Sequence, residues 1–438
     1  MLLEFKFKNF KTFQEETLFS MTPAQKIKDI EYSVLKTTIG KKEYKGLSSA
    51  VIYGPNASGK TNIISALEVF KSIVLKGNIK NGDYVFASAN EAIRKLELIP
   101  NLSFDTPKPV EFEIKFIENG ILYQYGIKVD LGVFLDGDYN RKILSETLSV
   151  NEKMIFARSS SLEIGAVKDI SDMLIAAFDK KASENMAQSN LNDEELFLTG
   201  LFKSLYSAQI ANNITDWFRD KCKVFLRANL MMISPNAENV KSNHAFIDNT
   251  FQRAIKLFGI HGNEIVYMKS KESSEMTPYS VISDDRIVPV DIFESYGTER
   301  FLNIFPLIVQ TLQTGATLLV DEFDASLHPM ALMSIVGAFH NDEINKKGAQ
   351  LIFNTHNPIF LNKNLFRRDE IKFVDRDDNT GISNHYSLSD FGTSGPNGVR
   401  NTEDYMKNYF INRYGSIRNI DFSDILEERM ESVMNEES

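Results

Sequence analysis

Eight residues constrain this chain more than any others. GPNASGKT, Gly54 through Thr61, fits G-x-x-x-x-G-K-[ST], with an apolar run before it and a helical apolar stripe after it. LSSAVIYG (47–54) reads as a buried strand ending in a glycine turn, and Ile63, Ile64, Leu67, Phe70, Ile73 and Val74 fall on one helical face. A strand–loop–helix unit of this kind turns successive backbone N–H groups and a helix N-terminus toward one point, which makes a cradle for phosphate. Gly54, Pro55, Asn56, Ala57, Ser58, Gly59, Lys60 and Thr61 are therefore expected to bind ATP, with Lys60 on the β- and γ-phosphates and Thr61 on Mg²⁺. The fold class that follows is α/β.

A P-loop alone does not choose among kinases, GTPases, ring-shaped motors and ABC-type ATPases. The choice comes from TLLVDEFDASLHP, where an apolar strand delivers Asp321 and Glu322 at its end. Asp321 is expected to hold the metal together with Thr61, and Glu322 to orient or activate the attacking water. Lys60 and Asp321 stand about 260 residues apart, a separation that requires an insertion between two halves of one sheet. Upstream, ESYGTER sets Ser295 and Gly297 where a helix begins, a second phosphate site without a lysine of its own. Downstream, LIFNTHNP puts His356 at the end of the next strand, where it can bond to a γ-phosphate. Glu322 and His356 are thus the catalytic candidates.

The opening MLLEFKFKNF alternates Leu3, Phe5 and Phe7 with charged residues, as a strand does. Residues 111–158 read as further strands divided by turns at Glu118-Asn119-Gly120 and Asp136-Gly137-Asp138, an antiparallel subdomain. From 161 to 262 the pattern becomes helical, with no sustained heptads. EIVYMKS (264–270) is expected to restart the sheet, and Pro306 to kink a helix over 298–313 or mark a tight N-terminal section of it. Four segments result: 1–160, the first half of the head; 161–262, a helical insertion; 263–395, the second half; and 396–438, a helical segment with an acidic tail.

The net charge of −10 excludes a uniformly basic nucleic-acid binder. Much of it lies between Asp421 and Ser438, with seven acids against one arginine. Lys41, Lys42 and Lys45, or Arg367 and Arg368, form local basic clusters that leave a nucleic-acid contact open. The single cysteine, Cys222, rules out an intrachain disulfide and reads as a packed residue. No apolar run reaches membrane-spanning length and no signal-peptide core follows the first strand, so a cytoplasmic location is expected.

The ordered set of P-loop, Ser-x-Gly-Thr helix, Asp-Glu, Asp-x-Ser-Leu-His-Pro and Thr-His resembles the SMC/RecF/ABC ATPase superfamily. The resemblance implies an ABC/SMC-type head with an antiparallel β subdomain and a helical insertion, working as a homodimer or a higher even-numbered assembly around ATP. It implies that Ser295 and Gly297 meet the γ-phosphate in trans, that Asp324 and Ser326 lie in the dimer-crossing loop, and that His356 is the switch. Lys11, in KNFKTF, corresponds to a basic residue near the base, and Gln124 is the candidate for a glutamine loop. Over nearly its whole length, through EFKFKNFKTF, ELFLTGLF, ESYGTERFLNIFPLI, RRDEIKFVDRD and NYFINRYGSI, the chain resembles the RloA, or AbiLi-type, abortive-infection ATPases of the bacterial "AAA15" group. That closer likeness implies anti-phage defence of a toxin–antitoxin-like kind beside a Toprim-like, RloB-like effector. The alternative is a RecF-like DNA-binding ATPase in repair or maintenance. VDRDDN (374–379) reads as a strand-end turn rather than a nuclease motif.

Overall fold

The computed structural model describes residues 1–25, 27, 30–80, 99–104, 106, 108–130, 141–176, 178–226, 249–258, 264–269, 276–283, 286–325, 327–394, 398–400, 402–418 and 420–436. The turn at Asp136–Asp138 and Ser326 lie outside these residues.

Two sheets share one helix. The first is antiparallel, built from β1 (Leu2–Lys8), β2 (Thr17–Ser20), β6 (Val110–Glu118), β7 (Ile121–Asp130), β8 (Lys142–Val150), β9 (Lys153–Arg158) and β10 (Leu162–Ile164), in the order β10-β9-β8-β7-β6-β1-β2. Its β6–β7 turn carries Asn119 at φ 52° and Gly120 at φ 72°, the left-handed pair that a tight hairpin needs. A separate hairpin of β3 (Val34–Ile39) and β4 (Lys42–Leu47) leads toward β5 (Ser49–Tyr53).

β5 sits inside the second sheet, with β11 (Cys222–Phe225), β15 (Thr317–Val320), β16 (Gln350–Asn354), β17 (Ile371–Arg376) and β18 (Ser383–Ser387), in the order β11-β15-β16-β5-β17-β18. All pairings are parallel except β17–β18. All five residues of β5 are buried because both faces are covered. Ala50 and Ile52 join the core beneath the antiparallel sheet, while Val51 and Tyr53 join a second core on the other side.

The P-loop helix, Lys60–Lys76, fills the space between the sheets. Gly59 caps its start at φ 109°, and Gly77 ends it at φ 72° with its N–H on the Ile73 carbonyl. Its apolar stripe is buried as the 3.6-residue period requires. Phe70 stacks on Phe112 at 5.4 Å, Tyr125 at 5.9 Å and Phe5 at 6.3 Å. The second core takes the Ser-x-Gly-Thr helix, Tyr296–Thr314, and the helix Pro329–His340. The Ser-x-Gly-Thr helix runs through Pro306 without a break.

Segment 161–262 contains the helices Lys180–Ser189, Ala208–Asp216 and Asn249–Phe258, yet it also lends β10 and β11 to the two sheets. In DKCKVFL, Cys222 and Val224 are buried while Lys221 and Lys223 are partly exposed, a two-residue period too short to stand out among helices. Cys222 is fully buried, and burial pushes its thiol up to about 12, so it is a packed residue. EIVYMKS does not restart the main sheet. Its strand β12 (Glu264–Lys269) forms a three-stranded antiparallel sheet with β13 (Met276–Ser283) and β14 (Arg286–Pro289).

ELFLTGLF is held by a buried acid on β8. Glu146 accepts from the N–H groups of Phe197 at 2.7 Å and Leu198 at 2.8 Å and from the Tyr125 hydroxyl at 2.9 Å, and it faces Arg158 at 3.4 Å. Burial pushes its carboxyl pKa up, against the pull of those donors and of Arg158.

Candidate functional site

The site lies at the carboxyl ends of β5, β15 and β16, the edge where open parallel sheets bind ligands. Gly54 leaves β5 so close to β17 that a Cβ there would stand 2.2 Å from the Val374 carbonyl oxygen. At Gly59 the positive φ and a Cβ 2.8 Å from Ser383 Oγ exclude any other residue. Ala57 also adopts positive φ, 60°. Asn56 and Ala57 are exposed at the tip, whereas Ser58 is buried and its carbonyl accepts from Ser383 Oγ.

Lys60 folds back under the loop, donating to the carbonyls of Gly54 at 2.8 Å and Pro55 at 2.9 Å. It is 6% exposed. Desolvation lowers its pKa to about 8, while Asp321, Glu322 and Asp324 pull it back up. Three acids thus stand around one loop lysine, as the two distant motifs require.

Thr61 Oγ1 donates to Asp321 Oδ1 at 2.9 Å. Among the described residues no group of three metal-ligating side chains exists. A hard cation beside Thr61 and Asp321 would therefore take two protein oxygens and complete its shell with phosphate and water, as Mg²⁺ does. The donor set fits that ion.

Glu322, like Ala57, is a non-glycine residue at positive φ, 48°. Two side chains hold it there. Its N–H donates to Asn354 Oδ1, and its carbonyl accepts from Arg300 Nη2, each at 2.5 Å. Asn354 also donates to Asp321 Oδ1, so one amide locks both acids. Arg300, 1% exposed, reaches the carbonyls of Asp321 and Glu322 from the first turns of the Ser-x-Gly-Thr helix. The sequence reading missed both residues. The available signals were a polar residue ending the apolar strand QLIFN and a charge inside an apolar helix.

His356 follows β16 on the surface, and partial desolvation, then Lys60, hold its pKa below the ordinary value. Ser295 caps the helix Tyr296–Thr314, accepting from the Thr298 N–H at 3.2 Å. Ser295 and Tyr296 are exposed, and among the described residues no hydrogen bond joins Ser295 to the P-loop. Lys11 lies beside the loop, because its neighbour Thr12 accepts from Asn62 Nδ2 at 2.9 Å and from Ser383 Oγ at 2.8 Å. His328 caps the helix Pro329–His340 through Nδ1. Gln124 does not belong here: it lies on the face of β7 opposite Tyr125, the residue that meets the P-loop helix.

The two basic clusters differ in burial. Arg367 and Arg368 are 2% and 7% exposed, which removes them as a nucleic-acid contact. Lys42 pairs with Glu152, and Lys45 with Glu43. Among the described residues no helix is long and apolar enough to cross a membrane.

No curated protein matches the chain. Solved structures similar to it include an SMC head bound to the C-terminal winged-helix domain of ScpA, 14% identical over 88% of this chain and 97% of that one, TM-score 0.42. Others are the SMC head domain from Thermotoga maritima, 17% identical over 88% and 98%, TM-score 0.36, and an Smc head with an extended coiled coil bound to the C-terminal domain of ScpA derived from Pyrococcus furiosus, 14% over 88% and 96%, TM-score 0.41. The chain's own topology gives a mixed α/β head in which an antiparallel and a mostly parallel sheet share the P-loop helix. A family model matches residues 49–194 and 225–362, more than half of the sequence and both halves of the site. With its P-loop and its Asp321–Glu322 pair inside those limits, the chain belongs to the family described as "AAA domain, putative AbiEii toxin, Type IV TA system".

Proposed function

We propose that the protein is an ATPase of the ABC/SMC type whose heads pair around ATP, and that it senses or regulates on behalf of a Toprim-like effector in abortive-infection defence. One observation carries the reading: Lys60, Thr61, Asp321 and Glu322, from two distant segments, meet at one sheet edge, with Asn354 and Arg300 fixing the acids. Lys60 holds the β- and γ-phosphates, and loop N–H groups take the remaining oxygens. Thr61 and Asp321 would hold Mg²⁺, which would supply charge neutralisation on the phosphates. Glu322 accepts the proton of the attacking water, and its clamped backbone keeps the carboxylate in place for that role. His356, neutral at pH 7, donates its one ring N–H to a γ-phosphate oxygen.

Ser295 supports the assembly. It is exposed at the start of a 19-residue helix, and a second head would bring that serine and the N–H of Gly297 to the γ-phosphate. The family description supports the defence role. A separate effector chain is supported by VDRDDN, whose acids are engaged structurally: Asp377 accepts from the N–H groups of Asn379 and Thr380, and Asp378 pairs with Arg418.

The test is cross-linking between cysteines placed beside Ser295 and the P-loop, in a Cys222→Ser, Glu322→Gln background. Mg-ATP is expected to raise the yield, and Ser295→Arg to abolish the increase. Equal yields with and without ATP would falsify the paired-head reading.

A further inference from the structure

One cation at the carboxyl edge of the parallel sheet stands apart from the phosphate and metal ligands. Arg376 ends β17, which lies beside β5 on the flank opposite β16. It belongs to VDRDDN, whose acids are committed to the turn itself. Asp375 accepts the Arg376 N–H at 2.9 Å, Asp377 accepts from Asn379 and Thr380, and Asp378 pairs with Arg418. Among the described residues no carboxylate pairs with the Arg376 guanidinium, which is half-buried.

Backbone carbonyls hold that guanidinium instead. Its Nε donates to Gly381 at 2.7 Å, and its Nη1 approaches the Ala57 carbonyl, at the P-loop tip, at 3.5 Å. Gly381 leaves room for it, since a Cβ there would stand 3.1 Å from Nη2. The β17–β18 hairpin meets the loop a second time through Ser383, whose Oγ lies 2.5 Å from the Ser58 carbonyl oxygen and 2.8 Å from Thr12 Oγ1.

This position decides what the cation meets. A phosphate cradle turns its N–H groups inward and its carbonyls outward, so a group at the Ala57 carbonyl lies outside the cradle. The γ-phosphate end belongs with Asp321, Glu322 and His356, which follow β15 and β16. A nucleotide anchored there runs away from those strands. Its nucleoside leaves across the other flank of β5, bordered by the β17–β18 hairpin and the Lys11–Thr12 turn. A flat, half-buried cation at that flank suits the π-face of a base better than another phosphate oxygen.

We propose that the Arg376 guanidinium lies against the purine ring of bound ATP, its plane set by the Gly381 and Ala57 carbonyls. The proposal rests on the nucleotide reading above and adds to it a residue that binds the nucleoside.

The experiment uses full-length Glu322→Gln protein, in which turnover is slowed, titrated calorimetrically with Mg-ATP and with Mg-tripolyphosphate. The inorganic ligand fills the P-loop but carries no base. Arg376→Ala is expected to weaken ATP about tenfold and to leave tripolyphosphate affinity and the unfolding midpoint unchanged. Arg376→Lys keeps the charge, loses the plane and is expected to behave like the alanine variant. With Glu322 intact, Arg376→Ala is expected to raise KM and leave kcat unchanged, as for a contact made equally in ground and transition states. Equal losses for both ligands would mean that Arg376 only braces the loop. Full recovery with lysine would mean that charge alone matters, and unchanged ATP affinity in Arg376→Ala that nothing touches the base. Each of these overturns the proposal. Glu322→Gln protein that binds ATP and tripolyphosphate equally well overturns this proposal alone, whereas protein that binds neither overturns the nucleotide reading with it.

Discussion

The two sheets flank the same helix and are built for different ends. In the antiparallel sheet each neighbour is also near in sequence for most of its width, from β6 through β10. Its inner face is aromatic, and a buried charge pair on it, Glu146 with Arg158, ties down a loop rather than facing a ligand. The parallel sheet instead gathers strands from Ser49 to Ser387 into an order unrelated to the chain. Buried on both faces, it leaves its two edges for polar groups, and at the carboxyl edge Thr61 and Asn354 both donate to Asp321. Hairpin order gives one sheet rigidity from local contacts. Strand order imposed over long separations gives the other a place where distant acids and a lysine must meet.

If the division is real, the largest effect on chemistry comes from a change that leaves the fold alone. Glu322→Gln keeps both backbone bonds to Asn354 and Arg300 and removes only the proton acceptor. Turnover is expected to fall about 10²–10⁴-fold, the range for loss of a general base, with ATP affinity and the unfolding midpoint unchanged. Steady-state phosphate release and calorimetry on one preparation test this. Turnover equal to wild type would move the base to another residue, His356 first.

Glu146→Ala is the converse experiment on the antiparallel sheet. It leaves the Arg158 guanidinium without its acid and the N–H groups of Phe197 and Leu198 without an acceptor. Removing one member of a buried pair costs about 3–5 kcal/mol, so the urea midpoint is expected to drop accordingly. The folded fraction is expected to bind ATP as before. Lost affinity in protein still folded would mean that this sheet shapes the site and does not merely brace its helix.

The same contrast decides what could be read from sequence. The P-loop and the Asp321–Glu322 pair were legible because each is a local pattern in which a strand period stops at a glycine or an acid. The antiparallel strands were legible for the same reason. Asn354 and Arg300 were not, since their roles come from bonds to residues 32 and 22 positions away. Arg367 and Arg368 resembled a solvated loop because nothing local shows their partners, one of which, the Ile27 carbonyl, is 340 residues distant. β11 escaped notice as a four-residue strand whose edge position next to β15 only the assembled sheet creates.

The smallest expected effect is a pH dependence, and it sharpens the comparison because it belongs to the parallel sheet's edge alone. Burial takes Lys60 from 10.5 to about 8, even with Asp321, Glu322 and Asp324 pulling upward. Between those values the unfolded chain holds a proton that the folded chain has released, so this residue makes the nucleotide-free protein more stable as pH rises from 8 toward 10.5. ATP acts in the opposite sense. Its phosphates need the ammonium, so above pH 8 binding must take up a proton, and affinity is expected to fall by up to about tenfold per pH unit. His356 does not confuse the reading: held below 6.5, it is neutral throughout this range. Calorimetry at pH 7, 8 and 9, in buffers of different ionisation enthalpy, is expected to show proton uptake near zero at pH 7 and approaching one at pH 9. A flat affinity with no uptake would mean that the three acids outweigh burial and that Lys60 stays charged, in which case the edge of the parallel sheet is a wetter place than its packing implies.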